Sequence, residues 1–226
     1  MKEDKAYSAA IFDLDGLILD TEAIARTSWK RAMADYDYVL EDDVYQKFVG
    51  LTVPDIKIVL RDIFGSDFPL SEIFELTYQY YEEHIDERGI PVKPGVFEML
   101  VFLDKLKLPT AVATSSARDF AIRKLRICNL VGKFNVVIGG DQVRNGKPEP
   151  DIFLAAAEKL RVLPEKCFAF EDSDNGIKSA HRAGMAAIMI PDLKQPSQEI
   201  AQLAHRVFPS LYEAIPFLES VINTQV

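Results

Sequence analysis

Short apolar runs rich in small and β-branched residues recur at Ala9 to Phe12, Ala111 to Ala113, Phe134 to Ile138, Cys167 to Phe170 and Ala187 to Ile190. Each reads as a strand buried on both faces, the condition of strands inside a parallel sheet covered by helices. Helical segments separate the later runs. Residues 117 to 127 open on the capping-box-like Ser116-Ala117-Arg118-Asp119, residues 149 to 160 carry Pro150 near the first turn, and residues 175 to 183 stop at Gly184. Such alternation implies an α/β fold built on a doubly wound parallel sheet. A last strand near Val207-Phe208 and a helix from Ser210 to Glu219 are expected to close it.

Between the first and second strands the pattern changes to helical periodicity. Ala25, Trp29, Ala32, Met33 and Tyr36 share one helical face. A second helix begins at Thr52-Val53-Pro54-Asp55 and turns Ile56, Val59, Leu60 and Ile63 inward, and a third starts near Ser71 and runs through Ile73, Leu76 and Tyr80. The expected organisation is an α/β core of residues 1–21 and 92–226 with an inserted all-α cap of residues 22–91. The stems at Asp20-Thr21 and Pro91-Val92-Lys93-Pro94-Gly95 are the natural hinges.

The 226 residues, 48% hydrophobic, suffice for a core carrying one insert. No apolar run reaches the roughly 18 residues of a membrane span, and Met1-Lys2-Glu3-Asp4-Lys5 lacks the apolar stretch of a secretory signal, so a soluble cytoplasmic protein is expected. A net charge of −9 speaks against binding nucleic acid or anionic lipid. Any anionic substrate must therefore be small and locally neutralised, and the expected state is a monomer, with a dimer as the alternative. Cys128 and Cys167, without C-x-x-C spacing, read as reduced packing residues.

Four polar clusters stand at predicted strand ends. Phe12-Asp13-Leu14-Asp15-Gly16 places two carboxylates on one side of the strand direction, close enough to repel unless a cation or shared proton intervenes; a plain Asp-Gly turn is the alternative. Thr114-Ser115-Ser116 offers hydroxyls and backbone N–H groups to an anion, or simply caps a helix. In Gly146-Lys147-Pro148 the proline restricts Lys147 towards extended backbone. Glu171-Asp172-Ser173-Asp174-Asn175-Gly176 presents oxygens of the kind a hard cation prefers, with helix capping by Ser173 or Asp174 as the alternative. All four fall on one edge of one predicted sheet, in a single crevice.

With these motifs the sequence resembles the haloacid dehalogenase superfamily, in its branch of small phosphatases and β-phosphoglucomutase-like enzymes with a helical cap. The resemblance spans nearly the whole chain and implies a Rossmann-like core. It makes Asp13 the nucleophile and Asp15 the general acid and base, with Thr114 in the second motif, Lys147 in the third, and Glu171 and Asp172 in the fourth. It further implies Mg²⁺ held by Asp13, Asp15 through its backbone carbonyl, Asp172, and Glu171 directly or through water. Thr114, Ser115 and Lys147 would bind phosphate. The electrostatics agree: a phosphate dianion at about 4 Å from a carboxylate meets repulsion of roughly 8 kcal/mol at an effective dielectric near 20, which needs compensation.

The resemblance thus implies magnesium-dependent hydrolysis of a small phosphate monoester, a sugar phosphate or nucleoside-like monophosphate, through an aspartyl-phosphate. An intact Asp13–Asp15 pair disfavours dehalogenation. Mutase relatives carry a histidine, a lysine and an arginine where this chain has Ala25, Val49 and Val53, which disfavours β-phosphoglucomutase-type transfer. A non-catalytic phosphate-binding regulator is the alternative of another class. The loop Phe48-Val49-Gly50-Leu51-Thr52 is expected to face the crevice. Lys47, Lys57 and Arg61 read as solvated helix residues, with substrate recognition as the alternative, Arg118 as a substrate contact or a surface residue, and Asp141 and Asp192 as solvated loop acids, with a place at the mouth of the crevice as the alternative. His84, His181 and His205 pair with no nucleophilic serine.

Overall fold

The computed structural model describes residues 7–49, 51 and 53–223. In chain order its elements are β1 (Ala9–Phe12), α1 (Thr21–Ala34), α2 (Asp42–Tyr45), α3 (Val53–Phe64), α4 (Leu70–Arg88), α5 (Val96–Lys105), β2 (Thr110–Thr114), α6 (Arg118–Ile127), β3 (Val136–Gly139), α7 (Asp151–Leu160), β4 (Cys167–Glu171), α8 (Asp174–Arg182), β5 (Ala186–Met189), α9 (Gln198–Leu203), β6 (Arg206–Val207) and α10 (Leu211–Asn223). They divide into two compact units, Met1–Asp20 with Pro91–Val226, and Thr21–Ile90.

The first unit is a doubly wound sheet in the order β3-β2-β1-β4-β5-β6, every described pairing parallel. Chain order runs one way from β1 to β3 and the other from β4 to β6, so the topological switch point lies between β1 and β4. One sheet face is lined mostly by alanine, Ala9, Ala111, Ala113 and Ala169 beside Ile11, and α7 and α8 pack on it through Phe153, Ala156, Ile177 and Ala180. The opposite face is aromatic, with Phe12 and Phe170 stacked at 4.6 Å. Alternate strand residues are thus taken up on both faces, which explains the unbroken apolar runs.

Several boundaries differ from expectation. β3 starts at Val136 because Asn135 already bonds Thr110 from both its N–H and its side-chain oxygen, leaving Phe134 edge-on to Phe12 at 6.0 Å. β5 begins at Ala186, and β6 is Arg206–Val207, exposed at the sheet edge. The sequence pattern did not single out α2, α5 or α9. The stems of the insert are stitched together by backbone bonds, Asp20 N–H to Pro91 O at 2.9 Å and Lys93 N–H to Ile18 O at 2.9 Å.

The second unit is helical, with α1 against α4 around Trp29, Met33, Phe48, Leu60, Phe68 and Ile73. Trp29 lies edge-on to Phe74 at 4.7 Å. On α1 the buried stripe runs through Ile24, Ser28, Ala32 and Met33, with Ala25 half-buried. Tyr36, expected inside, is 39% exposed because α1 ends at Ala34 and the chain turns. On α3, Ile63 is exposed and Phe64 packs inward instead, stacked on Phe68 at 5.0 Å. The expectations for Gly50 and for a Thr52 cap lie outside the described residues.

Candidate active site

Sheet register assembles the site. Phe12 pairs with Val112 on one side and Phe170 on the other, so Asp13, one residue on, falls between the carboxyl ends of β2 and β4. Its N–H donates to Phe170 O at 3.0 Å. The chain then turns at Gly16, whose N–H donates to Leu19 O at 2.8 Å. Gly16 has φ +87°, and a Cβ there would lie 2.4 Å from an Asp172 carboxylate oxygen. Both conformation and space therefore demand glycine.

Lys147 is the charge centre. Its ammonium donates to Asp13 Oδ1 and Glu171 Oε1 at 2.5 Å each and to Ala113 O at 3.0 Å. Glu171 is fully buried, and its other oxygen accepts from the Asp172 N–H at 3.1 Å, the Ser173 N–H at 3.3 Å and the Ser173 hydroxyl at 3.0 Å. Ser173 also caps α8, accepting from Gly176 N–H at 3.1 Å. The loop carrying Lys147 is tied to α8 by Ser179 Oγ donating to Glu149 O at 2.6 Å and by Arg182 on the Pro148 carbonyl and Glu149 carboxylate. The Lys147–Pro148 peptide is cis.

Asp13, Glu171 and Asp172 each present a carboxylate oxygen, all within 4.8 Å of one another. Burial, only partly offset by Lys147 and reinforced by Glu171 and Asp15, pushes the Asp13 carboxyl up to about 7. Burial and the neighbouring acids Glu171, Asp13 and Asp192 also hold the Asp172 carboxyl well above the usual carboxylate range. The reason is excess negative charge in a space with low dielectric. An all-oxygen set with unbalanced charge is the donor chemistry of a hard divalent cation.

Asp15 is oriented separately. Its Oδ2 accepts from Ser116 Oγ at 2.8 Å and Thr114 Oγ1 at 3.3 Å, and its Oδ1 accepts from Lys124. Thr114 Oγ1 in turn accepts from the Ser116 N–H at 3.1 Å. Ser115 is exposed beyond the end of β2. The capping box expected at Ser116 is not formed. The α6 N-cap is Ala117, Ser116 turns to Asp15, and the Arg118 N–H is taken by Asp141 at 2.8 Å, so Asp141 is a helix-capping acid.

Sequence reading missed three contributors. Lys124, 1% exposed, sits on the inner face of α6 with Ala121 and Leu125; a lysine inside an apolar i, i+3, i+4 stripe was the available signal. Ser116, expected to face an anion or to cap a helix, is instead a hydrogen-bond partner of Asp15. Asp192 is a buried acid and not a solvated one: Oδ1 accepts from Lys93 at 2.5 Å, its side chain is 8% exposed, and Oδ2 is buried without a hydrogen-bond partner. Cys128 and Cys167 are buried free thiols, and burial pushes Cys167 up to about 12. Among the described residues no helix is long and apolar enough to cross a membrane.

The haloacid dehalogenase-like hydrolase family profile matches residues 10–190, from β1 through the strand that follows the acidic motif. The chain belongs to that family. Within it, this hydrolase stands in the phosphatase branch as a phosphoric monoester hydrolase. It is 33% identical to a phosphorylated carbohydrates phosphatase of Thermotoga maritima over 80% of this chain and 83% of the relative. It is 32% identical to the fructose-1-phosphate phosphatase of Escherichia coli over 80% and 95% of the two chains. A haloacid dehalogenase family hydrolase from Deinococcus radiodurans, solved with bound phosphate and sodium, superposes with a TM-score of 0.80 at 25% identity, covering 96% of this chain and 97% of that one.

Proposed function

We propose that this hydrolase is a magnesium-dependent phosphatase that removes phosphate from a small phosphorylated metabolite, foremost a sugar phosphate, through an aspartyl-phosphate on Asp13. The observation that carries the reading is the convergence of Asp13, Lys147, Glu171 and Asp172 at the switch point, with the hydroxyl of Thr114 beside Asp15. Substrate class draws on the names of the two relatives, phosphatases of phosphorylated carbohydrates and of fructose 1-phosphate.

Magnesium held by Asp13, Asp172 and the Asp15 backbone carbonyl, with Glu171 directly or through water, would supply the positive charge that a phosphate dianion needs beside these acids. Lys147 adds a cation, and Thr114 and the Ser115 N–H orient phosphoryl oxygens. The Asp13 carboxylate attacks phosphorus in line while the bond to the alcohol oxygen breaks, and Asp15 gives that oxygen its proton. Water then attacks the aspartyl-phosphate, giving a proton to Asp15 and regenerating the Asp13 carboxylate. Hydrolysis is favoured over mutase chemistry because Ala25, Val49 and Val53 supply neither imidazole nor cation.

The test is release of inorganic phosphate from p-nitrophenyl phosphate and a panel of sugar, nucleotide and polyol phosphates, with magnesium and with EDTA. Activity that disappears with EDTA and returns with magnesium is the expected result. Full turnover by Asp13→Asn, in protein verified by mass to be free of deamidation, would refute the nucleophile. Tight phosphate-ester binding without hydrolysis across the panel would favour a regulatory protein.

A further inference from the structure

Lys124 has no place in the motifs that define the site, yet the fold keeps it inside. It is 1% exposed, and its ammonium donates to Asp15 Oδ1, lies 3.1 Å from Ser116 Oγ and stands 4.7 Å from the centre of the Phe120 ring. A lysine is rarely buried unless its charge has a specific partner. Here that partner is one of the two acids of the first motif. The chain therefore sorts its acids with two lysines, Lys147 on Asp13 and Glu171, and Lys124 on Asp15.

We infer that Lys124, with Ser116, is a positioning residue that sets the direction of the Asp15 carboxylate for proton transfer to the leaving oxygen. Lys124 engages Oδ1 while Ser116 and Thr114 engage Oδ2, so both oxygens are fixed and the carboxylate plane is defined. Ser116 links the two arms, accepting from Lys124 and donating to Asp15. Lys124 projects from α6, whereas Asp15 sits in the turn after β1, so the contact couples the second-motif helix to the first-motif acid. A misdirected proton donor slows departure of a poor leaving group far more than departure of a good one, because only the former needs the proton as its bond breaks.

The inference rests on the proposed hydrolysis with Asp15 as acid, and leaving-group dependence separates the two. Phenyl phosphate and p-nitrophenyl phosphate have similar shapes but leaving groups of different acidity. Their kcat/KM values, measured at saturating magnesium, report the steps up to release of the phenol. Lys124→Met is expected to lower kcat/KM about 100-fold for phenyl phosphate and no more than about 10-fold for p-nitrophenyl phosphate. Lys124→Arg, which keeps the charge, should bring the ratio between the two substrates back to within about threefold of wild type. A folded Lys124→Met protein that loses both activities equally, or neither, overturns the inference while the hydrolase reading stands. Should Lys124→Met not fold, Ser116→Ala is read in the same way: a ratio shifted against phenyl phosphate supports the role, and an unchanged ratio overturns it. A wild-type protein releasing no phosphate from either substrate overturns both readings together.

Discussion

Lys147 Nζ lies 2.5 Å from Asp13 Oδ1, with the two side chains 6% and 9% exposed. The same ammonium meets the fully buried Glu171. One cation thus neutralises part of a cluster that the sheet register would otherwise make strongly anionic. Its partners hold the Lys147 ammonium in its charged form despite burial.

Lys147→Met is expected to cost about 3–5 kcal/mol of stability, since it leaves buried carboxylates without their cation. Urea denaturation followed by circular dichroism measures this. Phosphate release should fall by at least about a hundredfold in protein that remains folded. Stability within about 1 kcal/mol of wild type would mean that the ion pair is not what holds these acids.

Stability of the magnesium-free protein should decline as pH rises from about 4 to about 7. Asp13 is pushed up to about 7 by burial, above the ordinary value of 3.8, so in that interval the folded state binds more protons than the unfolded state. The contribution is complete below the ordinary value and is lost as pH rises through the folded one. Magnesium, by favouring the carboxylate form, should flatten the slope. Thermal melts at several pH values with and without magnesium check both signs, and an identical slope in the two series contradicts the assignment of Asp13 to the ion.

Gly176→Ala reverses an ordinary expectation. Within a helix, alanine usually exceeds glycine in stability by about 1 kcal/mol. Here a Cβ would fall 1.8 Å from Glu171 Cδ and 2.0 Å from each of its carboxylate oxygens. The side chain that anchors Lys147 must move, so a loss of about 1–3 kcal/mol is expected together with reduced phosphate release. Denaturant melts and steady-state kinetics on the variant test this, and a stabilised, fully active protein would contradict the packing.

The helical unit can be followed on its own, because Trp29 is the chain's single tryptophan and lies in that unit's core. Leu60→Ala, at a fully buried position of α3, is expected to cost about 2–5 kcal/mol. The denaturant midpoint seen by Trp29 fluorescence should fall accordingly. A midpoint unchanged by the substitution would contradict burial of Leu60 in that core.

The strands were legible because β1, β2, β4 and β5 are buried on both faces, and that condition writes itself as unbroken apolar runs. Glycine, proline and capping residues marked where the intervening segments stop. Asp13 and Asp15 just after β1, Glu171 and Asp172 at the end of β4, Thr114 and Lys147 could be picked out as candidates because the chemistry of strand ends and turns is local. Ile63 against Phe64 could not be decided by periodicity, since both fit a helical stripe and only the neighbouring Phe68 selects one. Nor could the partners of Ser116, Lys124 and Asp192. Ser116 carries all the local marks of a helix cap, yet its hydroxyl goes to an acid 101 residues away, while Lys124 bonds Asp15 109 residues away and Asp192 bonds Lys93 99 residues away. Periodicity and the local marks of a cap depend on neighbours within a turn or two, so the amino-acid order alone shows where elements run, though not which of two candidate residues packs or caps. Which buried charge meets which depends on strand order and register across the sheet, and only the folded chain decides that.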